Sequence, residues 1–177
     1  TNVVIDGQSG DILVNGVSGV IDIETQSGNL TLESVGGELS LDTQSGDISG
    51  NGLSMSNVRI ETESGTVTLE GSFSEKIAIK AESDDVSITN SAAAVVQIET
   101  ASGDQTYSGG LLDSDINSLD AASGNVSLAL TDATGVRVDV ETSSGSIANN
   151  LTPGDEQREE DSLSGTPGDG KALPQVR

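Results

Sequence analysis

The sequence predicts an all-β protein. It reads as a β-solenoid (β-helix) of about eight two-strand coils of 18–21 residues, with a loop-rich C-terminal segment. Three observations predict this. The dipeptide Ser-Gly, or its near match Ser-Asp, recurs at Ser9, Ser27, Ser45, Ser64, Ser83, Ser102, Ser123 and Ser144. The steps between these serines are 18, 18, 19, 19, 19, 21 and 21 residues, and self-similarity at such a period marks a stacked repeat. Apolar and polar residues alternate on both sides of each dipeptide, the period of a half-buried strand. The chain has one Phe, one Tyr and no Trp in 177 residues; a narrow core of aliphatic layers does not need large rings.

The first strand of each coil precedes the serine. Four residues before it stand Ile5, Ile23, Leu41, Ile60, Ile79, Ile98, Leu119 and Val140. Six before it stand Val3, Ile21, Leu39, Val58, Ile77, Val96, Asn117 and Val138. Aliphatic and β-branched side chains suit such a pleated, buried surface. Between core and corner, two before the serine, run Thr25, Thr43, Thr62, Ala81, Thr100, Ala121 and Thr142, read as a small inward position. Beside it runs an acidic column, Glu24, Asp42, Glu61, Lys80, Glu99, Asp120 and Glu141. Like charges stacked this way repel, and Lys80 sits where it relieves its neighbours.

The Ser-Gly is the corner. Glycine takes positive φ without penalty, serine bonds nearby backbone, and Asp84 stands in for glycine because aspartate tolerates the left-handed region. The second strand follows. Its core column, three after the serine, is Ile12, Leu30, Ile48, Val67, Val86, Gln105, Val126 and Ile147. Like segments repeat at every second strand, so like stacks on like at ~4.8 Å, and eight coils make a rod roughly 40 Å long.

The repeat departs in three places. Asn51 to Asn57 reads as a bulged corner, Gly109 to Asp120 lengthens one coil, and from Asn149 to Gln175 the chain reads as loop. Residues 1–148 therefore form the solenoid, and 149–177 an acidic, loop-rich segment leading into the start of a further coil at Val176. Both ends of the stack are then expected to be uncapped strand edges, formed by Val3, Val4 and Ile5 at one end and Val176 at the other. Such edges pair with other chains.

The formal net charge of −22, from 29 acids and 7 bases, excludes nucleic acid as a partner, because phosphates demand a positive surface. It also disfavours anionic lipid. With no Cys and no His, disulfides, thiolate zinc sites and histidine acid–base chemistry are excluded. No apolar run approaches the ~18 residues of a membrane-spanning helix. The chain opens directly on a core strand, which predicts a processed or trimmed N-terminus with a signal or anchor outside this stretch.

The phrase Ile23-Glu-Thr-Gln-Ser-Gly-Asn-Leu-Thr-Leu32 is echoed by Ile60-Glu-Thr-Glu-Ser-Gly-Thr-Val-Thr-Leu69 and Val140-Glu-Thr-Ser-Ser-Gly-Ser-Ile147. It resembles the bacterial and archaeal adhesin family of the DUF4097 type. The tail from Leu163 to Lys171 before a new Val-Arg pair also looks like that family's last segment. The resemblance spans nearly the whole chain. It implies a β-solenoid tied to the cell envelope or surface, and it brings no catalytic residues. Bactofilins, which also stack short coils, resemble the chain less closely.

Asp113, Asp115 and Asn117 alternate as the oxygen ligands that open a calcium loop do. Ser118 stands where that loop needs glycine, and no glutamate closes it, so calcium is a candidate here and no other cofactor is expected. The residues two after each serine, Asp11, Asn29, Asp47, Thr66, Asp85, Asp104, Asn125 and Ser146, read as turn chemistry rather than a cation ladder. The hydroxyl column Thr31, Ser49, Thr68, Ser87, Thr106 and Ser127 lacks the paired Thr-x-Thr array of ice-binding solenoids. Paired carboxylates are plentiful, but nothing makes them converge, and no enzyme is expected. The expected function is a non-catalytic structural or adhesive scaffold, at the cell surface or extracellular. It would self-associate into a filament through its ends or bind other surface proteins or glycans. The alternative is a monomeric binding module presenting an acidic face to a cation, glycan or protein.

Overall fold

A computed structural model describes residues 1–112, 116–132, 136–150, 156–159 and 162–165. They form a parallel β-solenoid of about seven turns. Its first three coils each contribute two strands: β1 (Asn2–Gly7) and β2 (Ile12–Asn15), β3 (Ser18–Ser27) and β4 (Leu30–Glu33), β5 (Gly36–Ser45) and β6 (Ile48–Asn51). Then β7 (Ser54–Glu70) and β8 (Phe73–Ser102) run unbroken through their corners. The stack continues with β9 (Gln105–Leu111), β10 (Ile116–Ala121), β11 (Val126–Asp132), β12 (Arg137–Thr142) and β13 (Ile147–Asn149). Two further strands follow, β14 (Glu156–Glu159) and β15 (Ser162–Gly165).

First strands stack on first strands in the order β1-β3-β5-β7-β8-β10-β12. Second strands do the same: β2 pairs with β4, β4 with β6, β6 with β7, β8 with β9, and β11 with β9 and β13. Every one of these pairings is parallel. Parallel pairing at a fixed offset is what keeps each residue type in its own column. Ile21, for example, pairs with Leu39, and Leu39 with Val58.

The core sits between the two arms. Ile21, Ile23, Leu39, Leu41, Val58, Ile60, Ile77 and Ile79 from the first arm meet Leu30, Leu32, Ile48, Val67, Leu69, Val86 and Ile88 from the second, all at most 3% exposed. Burying one such aliphatic side chain contributes about 1.5–3 kcal/mol.

The expectation of two separate strands per coil holds for the first three coils and fails in the middle. Gly65 pairs with Asp84 and Thr66 with Asp85, so the ladder crosses the corner without a break. The bulge read at Asn51 to Asn57 is a single extra residue. Gly37 faces Met55 and Glu38 faces Asn57, leaving Ser56 without an opposite number. Its hydroxyl donates to Gly37 O at 3.1 Å, and the insertion turns an 18-residue step into a 19-residue one.

The C-terminal segment is not loop throughout. β15 pairs antiparallel with β12, and β14 pairs antiparallel with β15. The edge of β12 is therefore covered, and the expectation of two uncapped ends is corrected on that side. Val176 lies outside the described residues.

Candidate functional site: corner ladders and an acidic face

The Ser-Gly corner is a set of bonds between coils. Four corner serines reach back to the coil before them: Ser27 Oγ donates to Gln8 O, Ser45 to Gln26 O and Ser64 to Gln44 O, each at 3.3 Å, and Ser102 to Glu82 O at 3.4 Å. The glycines follow with φ between 122° and 157°, a region side chains rarely adopt. A Cβ on Gly46 would lie 2.2 Å from Gly28 O. Glycine is thus required here for two independent reasons, conformation and close approach.

Two residues after the serine, each Asp or Asn oxygen accepts the N–H of the same position one coil on. Asp11 Oδ1 accepts from Asn29 N at 2.9 Å, Asn29 Oδ1 from Asp47 N at 3.2 Å and Asp47 Oδ1 from Thr66 N at 3.0 Å. Beyond Thr66 the ladder resumes, with Asp85 Oδ1 accepting from Asp104 N at 2.8 Å and Asp104 Oδ1 from Asn125 N at 2.7 Å. The column is thus hydrogen-bond chemistry, and its oxygens are engaged. The threonines two before the serine are buried as read; Thr25 and Thr43 donate to the carbonyls of Ser27 and Ser45 at 3.3 Å.

Asp84 departs from the expectation placed on it. Among described non-glycine residues only Ser34 and Asn90 have positive φ, so Asp84 does not take the left-handed form of the glycines it replaces. Its side chain is 1% exposed, and neither carboxylate oxygen has a hydrogen-bond partner. Burial pushes this carboxyl above the usual carboxylate range. The Thr62 hydroxyl and the Gly65 N–H lie close enough to act against that shift without completing a well-aligned hydrogen bond, while the Asp47 and Asp85 charges reinforce it.

A second corner escaped the sequence reading. Gly16, Ser34, Gly52, Gly71 and Asn90 stand in one column with φ of 65°, 52°, 61°, 58° and 50°. Their N–H groups step from coil to coil, as in Gly16 N to Glu33 O at 3.0 Å and Ser34 N to Asn51 O at 3.0 Å. The signal was available: glycine and asparagine are the residues that tolerate this region. Ser34 breaks the pattern, and no shared dipeptide marks the column.

On the outer face of the first arm the acidic column is in register. Asp6 pairs with Glu24, Glu24 with Asp42, Asp42 with Glu61, Glu61 with Lys80, Glu99 with Asp120, and Asp120 with Glu141. Neighbours in such a column lie ~4.8 Å apart. Among the described residues, the ion pairs are Arg59 with Glu61, and Arg137 with Asp139 at 3.4 Å. Arg59, Glu61, Lys80, Gln97, Glu99 and Asp120 border a shallow open depression of about 330 Å³.

The sequence-predicted site residues do not come together as one site. Asp113 and Asp115 lie outside the described residues. Asn117 is fully buried in β10, where its Oδ1 accepts from Val96 N at 2.8 Å and its Nδ2 donates to Arg137 O at 3.1 Å. It bridges three coils from inside, so the calcium reading is corrected for this residue: its oxygen faces the core. Among the described residues no group of three or more acidic side chains could hold a metal ion. Val3, Val4 and Ile5 lie in β1, which pairs with β3; Val4 is 75% exposed, while Val3 and Ile5 pack partly against the core. Two polar side chains enter the second-arm core and bond internally, although the buried Gln105 Oε1 is left without a partner. Gln105 Nε2 donates to Thr100 Oγ1 at 2.9 Å and Asp120 O at 2.7 Å, and Tyr107 donates to Gly110 O at 2.8 Å.

The geometry defines a class: an acidic parallel β-solenoid whose corner polar groups bond coil to coil and whose outer faces repeat. The chain belongs to the Toastrack DUF4097 family, whose family model matches residues 20–176. No curated protein and no solved structure matches it. No helix among the described residues is long and apolar enough to cross a membrane.

Proposed function

We propose that this chain is a non-catalytic structural or adhesive scaffold, carried at a cell surface or secreted. The observation that carries this reading is the use made of the corner. Serine hydroxyls and Asp or Asn oxygens, the groups that could do chemistry, bond one coil to the next. The outer faces repeat the same residue types along the stack, which suits many weak contacts over a length better than one convergent pocket. The partners this fits are further copies of the chain, or other surface proteins and glycans. The in-register acidic column favours a second reading: a monomeric module that presents this face to a cation, glycan or protein.

Electron microscopy and sedimentation of the purified chain at high and low calcium test the first reading. Stiff rods roughly 35 Å long, about seven turns at ~4.8 Å each, or ordered assemblies of them, agree with a scaffold. Monomeric rods with a saturable calcium isotherm select the binding module. Turnover of a surface glycan by the purified chain would sink both.

A further inference from the structure

We propose that the β14–β15 hairpin is an intramolecular cap, and that the β12 edge it covers is a docking surface for a second copy of this chain. The proposal stands on strand pairing and does not depend on the adhesive reading. Within the solenoid all pairing is parallel, and β12 follows that rule on its inner edge, with Ile116 opposite Arg137 and Ala121 opposite Thr142. On its outer edge the direction reverses. Val138 faces Gly165, Asp139 faces Ser164, Val140 faces Leu163 and Glu141 faces Ser162.

This outer edge is the place that the next parallel first strand would take. A reversed strand there cannot be that rung, because its chain runs the wrong way for another coil. β15 therefore occupies a site built for continuation. β14 then faces β15 in the same antiparallel sense, with Glu156 opposite Gly165 and Glu159 opposite Ser162. Its sequence is Glu-Gln-Arg-Glu, and a short edge strand rich in charge is the standard device against further pairing. The hairpin thus exchanges an edge that invites a partner for one that repels it.

Displacing the hairpin returns β12 to a bare edge with Val138 and Val140 in the core columns. A first-arm strand of a second copy carries the same column pattern, so the two copies stack head to tail. Such a contact does not close on itself and extends. The capped form is a single rod, and the uncapped form is the assembling one.

The test uses the full chain in two variants. Leu163→Pro/Ser164→Pro removes two backbone donors from β15. The expected result is amide exchange about tenfold faster or more, at the dilution limit, at those amides of Val138 to Glu141 that point to β15 rather than to β10, the effect of one lost hydrogen bond, and association that grows with concentration in sedimentation. The second variant, Asp139→Cys/Ser164→Cys, places one disulfide across an in-register pair in a chain with no other cysteine. Oxidation is expected to hold the chain monomeric at every concentration, and to do so whether or not the proline variant folds. Unchanged exchange in the folded proline variant overturns the cap. Faster exchange with no association overturns the docking surface. Association that persists in the oxidised cysteine variant overturns both.

Discussion

Replacing Asp84 by Asn should stabilise the solenoid at neutral pH and leave it almost unchanged in acid. Asp84 sits in the glycine column at 1% exposure with both carboxylate oxygens unpartnered. A buried polar group left unsatisfied costs about 1–3 kcal/mol, and more if charged. Asparagine keeps the shape and removes the charge. For a chain of this size the gain corresponds to a Tm rise of roughly 2–12 °C. The pH dependence follows from linkage. The folded carboxyl titrates above its unfolded value of 3.8, so the folded state holds its proton more tightly. The penalty is absent below about 3.8, grows as pH climbs from there, and is complete once pH passes the raised folded value. The Asp47 and Asp85 charges that face it strengthen the shift. Circular dichroism melts of both proteins across this range provide the assay. Each comparison is made at one pH, so the general repulsion among the other acids largely cancels. An Asn variant that melts no higher than wild type at pH 7, or that keeps an equal advantage below pH 3.8, would refute the reasoning.

Three other substitutions or titrations probe different parts of the stack. Gly46→Ala forces a side chain into φ 126° and against Gly28 O at 2.2 Å, and should cost at least about 2 kcal/mol in urea unfolding. Asn117→Val leaves the Val96 N–H and the Arg137 carbonyl without their side-chain partner. It should cost about 1–3 kcal/mol, despite placing the residue type found elsewhere in that column. The single tyrosine gives a spectroscopic readout. Burial raises the Tyr107 hydroxyl well above its ordinary value near 10, so tyrosinate absorbance should stay flat above pH 10 until the chain unfolds. The stability tied to Tyr107 is full below pH 10 and is lost as alkali rises toward the folded value; a normal titration curve in the folded chain counts against its burial.

The repeat was legible because parallel stacking preserves columns. A period that keeps Ile23, Leu41 and Ile60 in line in the sequence also keeps them in line in space. What a column does sideways was harder to read. The residues two after each serine read as turn formers, yet the Asp and Asn oxygens among them bond the next coil, a contact that no single repeat displays. In the sequence Asp84 reads as a glycine substitute through the preference of aspartate for positive φ, and the structure turns its carboxyl inward instead. Asn117 carried two readings, core column and calcium loop, and only burial separates them. The β15 strand was illegible because its partner edge on β12 is antiparallel and so follows no column. The site was the least legible part, since a face made of repeats has no singular residue to announce it.

Ser56 shows how such a rod tolerates accidents. One residue is added, one hydroxyl bonds across, and by Val58 the columns are back in register. An insertion that would throw a hairpin out of phase is absorbed within half a coil here, because each coil answers only to the ones beside it. Length is therefore a free variable in this architecture. Gaining or losing a whole coil changes the rod by ~4.8 Å and adds or subtracts a few carboxylates, while the remaining layers keep their packing.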